Sequence, residues 1–313
     1  MSSPTTMQAI QVHDYGTPDV LRLENIPIPQ AKPNEVLVRI KAAAVNPVDW
    51  KIRAGYLREV MPQQMPYIPG SDFCGTVEAV GAAVRDFSIG DDIFGEVPVG
   101  AYAEFVAAPA DLIAKKPQSL DYLEAASVPM VSMTAWQALF DAGQLQAGQT
   151  VLIHGAAGGV GMFAVQLARW KGARVIATAS GDSVAVVRQL GADAVIDYKV
   201  KPFDQAVRDA DLVLDTIGGE TQKRSFAVLK RGGRLVNLTG EADKKLAGER
   251  GVEAITMFMK PSGKLLAQIG EHLDSGVLET SVERTFTLAE AQQAQELSAT
   301  GHVHGKIVIE VQE

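Results

Sequence analysis

A chain of 313 residues suggests two domains, because single hydrophobic cores rarely grow far past about 150 residues. With 47% hydrophobic and 21% charged residues it can bury a sizeable core, which excludes wholesale disorder. A formal charge of -8, from 29 Lys and Arg against 37 Asp and Glu, repels phosphate backbones and anionic lipid, so neither nucleic acid nor a membrane is an expected partner.

The residues from Met1 to Thr6 lack the basic flank and apolar stretch of a secretory signal, and no apolar run reaches the roughly 18 residues needed to span a bilayer. From Met7 to about Lys116, short apolar runs at 36–40, 75–80 and 101–106 are broken by Gly and Pro, which predicts strands of an antiparallel, barrel-like unit. Cys74 falls within this stretch. As the single cysteine it excludes intrachain disulfides and a thiolate-built zinc lobe, and it fits a reducing, cytoplasmic setting; a buried inert thiol is the expected reading.

From about Asp121 to Met259 the rhythm changes to strands alternating with helical stretches of ten or more residues. The strands are predicted at 150–154, 174–178, 194–197, 212–215, 234–238 and 252–258, and six of them complete a doubly wound parallel α/β sheet. After Lys260 a helix at 262–273, a strand at 282–286, a helix at 288–299 and a strand at 306–311 follow. This β-rich ending needs a sheet to join, which assigns 262–313 to the same domain as 1–122, with 123–261 inserted as the α/β domain. The expected binding site is the cleft between the two.

The sharpest local signal is the strand 150–154 running into a turn that contains Gly155, Gly158, Gly159, Val160 and Gly161, then an apolar helix to Trp170. Glycines let a backbone approach a pyrophosphate closely, and the unpaired N–H groups and positive dipole end of a helix stabilise its charge. A tight turn without a ligand is the alternative reading, and the strand–turn–helix placement favours the dinucleotide. His154, at a strand end, reads as a packed structural residue.

An acidic residue about 20 positions beyond such a turn normally holds the ribose 2′-hydroxyl of NAD. Here the position 19 residues past Gly161 is Ser180, which tolerates a 2′-phosphate, so NADPH is the expected cofactor. Asp182 competes with this reading unless it caps the helix that begins near Ser183. Tyr198, Lys199 and Arg188 are the candidate phosphate partners, because Val184 and Ala185 occupy the places where a cation is expected.

Several short pieces, in order and along nearly the whole chain, resemble the zinc-independent quinone oxidoreductase branch of the medium-chain dehydrogenase/reductases. They are 46–49, 69–72 with Gly75 and Gly81, 134–136, the glycine turn, 190–193, 215–219, 231–233 and 305–308. The resemblance implies a GroES-like catalytic domain with a Rossmann domain inserted, and hydride transfer from NADPH to a quinone or an α,β-unsaturated carbonyl. Zinc-dependent relatives place a Cys where this chain has Asn46 and a His-Glu pair where it has Ser71 and Asp72, so no catalytic metal is expected.

Without a Lewis acid, charge developing on the carbonyl oxygen must be met by hydrogen-bond donors and a proton source. The resemblance places Asn46, Asp49 and Lys51 in the segment folded beneath the nicotinamide. Asn46 is a candidate donor to substrate; Lys51, where several relatives carry a Tyr, is a candidate proton donor or electrostatic stabiliser whose plainer reading is a solvated helix-face lysine. Asp49 reads as structural support, and Tyr56 and Tyr67 are fallback donors whose plainer reading is a hydroxyl at the domain surface. Thr134 resembles the residue contacting the nicotinamide edge; Gly218 and Gly240, following the fourth and fifth strands, are expected to line the cofactor or to serve as turn glycines. A homodimer joined through the strand at 252–258 is expected. The rival reading is a cofactor-binding protein without turnover, a sensor or a crystallin-like protein.

Overall fold

The computed structural model describes residues 5–312. The chain opens with strands β1 (Thr6–Val12), β2 (Leu21–Pro27), β3 (Glu35–Val45), β4 (Asp72–Val80), β5 (Asp92–Glu96), β6 (Phe105–Pro109) and β7 (Ile113–Lys115), with helix α1 (Pro47–Arg53) between β3 and β4. Helices α2 (Tyr122–Ala126) and α3 (Pro129–Trp136) lead into alternating strands and helices: β8 (Thr150–Ile153), α4 (Gly159–Trp170), β9 (Arg174–Ala179), α5 (Ser183–Gln189), β10 (Ala194–Asp197), β11 (Ala210–Asp215), α6 (Gly219–Ser225), β12 (Leu229–Asn237), α7 (Lys244–Arg250) and β13 (Glu253–Thr256). The chain closes with α8 (Gly263–Asp274), β14 (Val282–Thr287), α9 (Ala291–Ala299) and β15 (Lys306–Glu310).

These elements form two compact units. The first holds the chain up to Met130, Pro261–Gly276 and the segment from Thr280; the second holds Val131–Lys260 with Val277–Glu279. In the first unit β14, β15, β3, β4, β5 and β7 lie side by side in that order, and β6 also pairs with β3. The core comes from β3, whose alternating burial gives way to continuous burial at its end, packed with Phe73, Ile93, Tyr102 and Ile307. Helix α8 shows how pattern becomes packing: Ser262 accepts a hydrogen bond from Leu265 N at 3.2 Å, and Leu266, Ile269, Gly270 and Leu273 fall on one buried face.

The second unit is a six-stranded parallel sheet in the order β10-β9-β8-β11-β12-β13. This is the doubly wound arrangement, with the order reversing at β8. Helix α4 is buried from Gly161 through Ala168, consistent with its almost wholly apolar sequence.

Three differences from the sequence expectation have physical causes. The pairing of β14 with β15 is parallel, not antiparallel, because α9 carries the chain back between them. The run at 101–106 becomes a strand only from Phe105; Ala103 makes a single bridge to Ala9, so the apolar character of 101–103 goes with burial rather than with a continuous strand. The sixth α/β strand ends at Thr256, and Phe258, assigned to it by its hydrophobicity, lies beyond it at 81% exposure. Among the described residues no helix is long and apolar enough to cross a membrane.

Candidate functional site

In the second unit the glycine turn follows β8, at the carboxyl end of the strand where the sheet order reverses. Gly158 takes the N-cap position of α4. The first-turn amides of Gly159, Val160 and Gly161 therefore point out of the helix end without intrahelical acceptors. A Cβ on Gly161 would collide with the Gly155 carbonyl and Ala156, so only glycine lets the helix start pack against the turn. By contrast, a Cβ on Gly158 would meet only the Gly155 carbonyl, at 3.4 Å, which leaves the backbone approachable from that side.

Ser180, just past β9, donates its hydroxyl to Tyr198 Oη at 3.1 Å, and Tyr198 is 52% exposed. The two hydroxyls therefore form one polar pair beside the ends of β9 and β10. Asp182 stands at the N-cap of α5, but its side chain accepts no capping hydrogen bond, because the residue has helical φ and ψ of -64° and -24°. The expected cap is corrected on that point. Asp197, not singled out in the sequence, shapes this corner by accepting the Lys199 amide at 3.0 Å.

Gly218 and Gly240 line one cavity of about 300 Å³ with Gly219, Asn237 and Thr239. Gly218 has φ +79°, and a Cβ there would strike the Thr239 hydroxyl, so the residue is held to glycine by both conformation and space. Two buried residues to which the sequence assigned no role build these turns. Asp215 accepts the amides of Ile217 and Gly218, each at 2.9 Å, and Asn237 donates to Gly240 O at 2.7 Å. Thr134 lies buried on α3. His154 is structural as expected: it bonds Thr178 at 3.0 Å and Ser225 at 2.9 Å, and burial pushes its pKa down to about 3.

In the first unit Asn46 caps α1. Its backbone N–H donates to Asp49 Oδ2 at 2.8 Å, which makes Asp49 the support it was expected to be. Tyr102 donates to the same oxygen at 2.9 Å. Burial, the largest influence, raises the Asp49 carboxyl to about 7 against these two donors. The Asn46 side chain is 1% exposed and already engaged: Nδ2 donates to Asp72 Oδ2 at 2.9 Å, and Oδ1 accepts from Lys306 Nζ. An amide carries two N–H donors, so one remains beyond the bond to Asp72.

Lys51 is half-buried with Nζ 5.6 Å from the Trp50 ring centroid, and Tyr56, 75% exposed, meets the same ring edge-to-face at 6.0 Å. Trp50 thus joins two candidate donors, a role no spacing rule signals. Tyr67 departs from its expected surface position. It is buried with Val12 and Ile52, and its hydroxyl has no hydrogen-bond partner among the described residues.

Below Asn46, strand register gathers a charged cluster. Asp72 starts β4, Glu96 ends β5 opposite it, and Lys306 starts β15; all three are buried. Asp72 Oδ1 also accepts the Met130 amide at 3.0 Å, and Lys306 Nζ lies 3.9 Å from Asp72 Oδ2. Burial raises the Asp72 carboxyl and lowers the Lys306 ammonium, while each charge opposes the shift of the other. Cys74 is free, fully buried and pushed upward in pKa by that burial, the condition of an inert thiol.

A GroES-like strand unit and a doubly wound nucleotide-binding sheet with a glycine turn at its switch point define a medium-chain dehydrogenase/reductase architecture. Comparison with known proteins agrees: residues 32–118 match the alcohol dehydrogenase GroES-like domain and residues 190–309 the zinc-binding dehydrogenase family. The mitochondrial NAD(P)H oxidoreductase RTN4IP1 of Danio rerio is 34% identical, covering 99% of this chain and 92% of that protein. The chloroplastic NADPH-dependent alkenal/one oxidoreductase of Arabidopsis thaliana is 34% identical over 98% of this chain and 80% of its own length. The solved quinone oxidoreductase of Coxiella burnetii superposes with a TM-score of 0.91 at 35% identity, covering 98% of this chain and all of that one. The chain belongs to the quinone oxidoreductase family of the medium-chain dehydrogenase/reductases.

The name of one matched family raises zinc, and the residues here do not fit it. Asn46 and Ser71 are poor zinc ligands, the Asp72 carboxylate is engaged by two amide donors, and an ammonium stands beside it. Among the described residues no group of three or more His, Cys, Asp or Glu side chains could hold a metal ion.

The buried cluster predicts a pH effect. Burial, reinforced by Asp72 and Asp49, raises Glu96 from 4.5 to about 9, and its Oε2 has no hydrogen-bond partner among the described residues. The unfolded chain releases this proton near the ordinary value and the folded chain only near the raised one, so raising pH across that window disfavours the folded state. The slope is at most about 1.4 kcal/mol per pH unit for one proton. Glu96→Gln keeps the neutral form at every pH. Urea unfolding at pH 6 and pH 9 is expected to show a smaller loss of stability for this variant than for the parent chain; equal losses would reject the assignment.

Proposed function

We propose that the chain is an NADPH-dependent oxidoreductase that passes a hydride to a quinone or an α,β-unsaturated carbonyl without a metal. The observation that carries this reading is the glycine turn at the switch point of the sheet, where Gly161 permits a close approach that a Cβ would block. The printed activities of the alkenal/one and quinone oxidoreductase relatives support the substrate class.

The amides of Gly159, Val160 and Gly161 would hold the pyrophosphate, the Ser180–Tyr198 hydroxyl pair the 2′-phosphate, and Thr134, Gly218 and Gly240 the nicotinamide side. Bound there, NADPH supplies a hydride equivalent. Its addition to the β-carbon leaves negative charge on the carbonyl oxygen, and a proton completes the reduction. The remaining amide hydrogen of Asn46 would meet that oxygen, with Lys51 as stabiliser or proton donor and Tyr56 as the exposed alternative. A single, buried thiol accords with a cytoplasmic setting. We also propose a homodimer through β13, an edge strand of the parallel sheet in the described chain.

NADPH absorbance followed with a panel of quinones, alkenals and alcohols is expected to show turnover of the first two, and Lys51→Met to lower kcat about tenfold. Tight NADPH binding with no turnover of any substrate would replace this reading with that of a non-catalytic sensor. Ser180→Asp sets a carboxylate against the 2′-phosphate, so KM for NADPH is expected to rise at least about tenfold while KM for NADH changes little. An unchanged preference would remove Ser180 from the phosphate site. Sedimentation at micromolar concentration is expected to give a dimer, and a stable monomer would reject the β13 interface.

A further inference from the structure

We propose that Lys306 is a positioning residue for Asn46: its buried ammonium holds the Asn46 carboxamide in one orientation and polarises it for hydrogen bonding to the reducing carbonyl. The inference rests on the reading that Asn46 supplies that hydrogen bond.

The strand ends make the contact. Antiparallel register sets Val45 of β3 opposite Ile307 of β15, and Ala44 opposite Asp72 of β4, so Asn46, Lys306 and Asp72 emerge together. The middle of β15 is what a central strand requires, since Ile307, Val308 and Ile309 are buried and apolar, and its charged end, Glu310, is exposed. Lys306, at 3% exposure, is the charged residue of the strand that is buried. An ammonium at that depth is unfavourable unless acceptors surround it. Its acceptors are Val45 O at 3.1 Å and Asn46 Oδ1, with Asp72 Oδ2 at 3.9 Å.

An asparagine amide can usually turn over, because its oxygen and nitrogen are nearly equal in size. This one cannot. A flip would present NH₂ to the ammonium and the carbonyl oxygen to a carboxylate. Asp72 is itself fixed by the Met130 amide, so the acceptor for Nδ2 does not drift. The ammonium also draws electron density through Oδ1, which makes the second amide hydrogen a stronger donor than that of a free asparagine. The positive charge thus acts on the oxygen of the substrate through one intervening amide.

A double-mutant cycle in kcat separates this from simple structural support. Asn46→Ala and Lys306→Met are each expected to lower kcat about tenfold or more, with KM for NADPH unchanged in both. In the Asn46→Ala background Lys306→Met is expected to cost less than about twofold further, because its route to the substrate is already gone. Equal fold-losses in both backgrounds, or no loss for Lys306→Met where Asn46→Ala has one, would overturn the inference and leave the role of Asn46 standing. A fully active Asn46→Ala would instead reject the hydrogen-bonding role of Asn46, and this inference with it, while leaving NADPH-dependent reduction itself intact.

Lys306→Met leaves buried carboxyl groups unpaired and can prevent folding. Asp72→Asn then takes its place in the cycle, because an amide cannot accept from Asn46 and from the Met130 N–H with the same pair of atoms. Its loss in kcat is likewise expected to vanish in the Asn46→Ala background, and additive losses would overturn the inference.

Discussion

A lysine ammonium buried among strands must be surrounded by acceptors, and that requirement organises one end of the first unit. Lys306 draws the Val45 carbonyl and the Asn46 side chain toward itself, Asn46 in turn binds Asp72, and Asp72 binds the amide of Met130. Asn46 also begins α1, the helix that carries Lys51. The start of that helix is therefore fixed from below by a chain of charge-assisted bonds rather than by a cap alone. Removing one partner from such a network costs more than the net worth of any bond in it, because the remaining charge stays buried. Glu96 and Asp49 show the other resolution of the same problem: burial favours their protonated forms.

The second unit meets a different constraint, the close approach of backbones. Gly161 must pack against the Gly155 carbonyl for α4 to begin where it does, and Gly218 must fit beneath the Thr239 hydroxyl. Both tight points stand at the carboxyl ends of parallel strands, where the helix amides and turns converge. Asp215 and Asn237 hold the turns at Gly218 and Gly240 by bonding backbone groups.

Much of this was legible in the residues. The switch from broken apolar runs to alternating strands and helices marked the doubly wound sheet, and the glycine turn marked the point where its strand order reverses. The inert readings of His154 and Cys74 followed from residue type and flanks. Other features were hidden for identifiable reasons. Tyr67 carries a hydroxyl and so suggested a surface, yet it is buried. Trp50 drew no reading along the chain, although its ring meets both Lys51 and Tyr56. Phe258 continued a hydrophobic run past the end of its strand. The parallel pairing of β14 with β15 depended on the path of α9, which periodicity does not encode.

Local sequence determined which segments form strands and helices, where glycine is needed, and that the positions matching those of zinc relatives carry Asn46, Ser71 and Asp72. Those properties depend on neighbours a few residues apart, so they can be read along the chain. The partnership of Lys306 with Asn46, 260 positions away, was decided only by tertiary structure. Strand order and register bring such residues together, and the low-dielectric interior they create then sets which groups keep their charge.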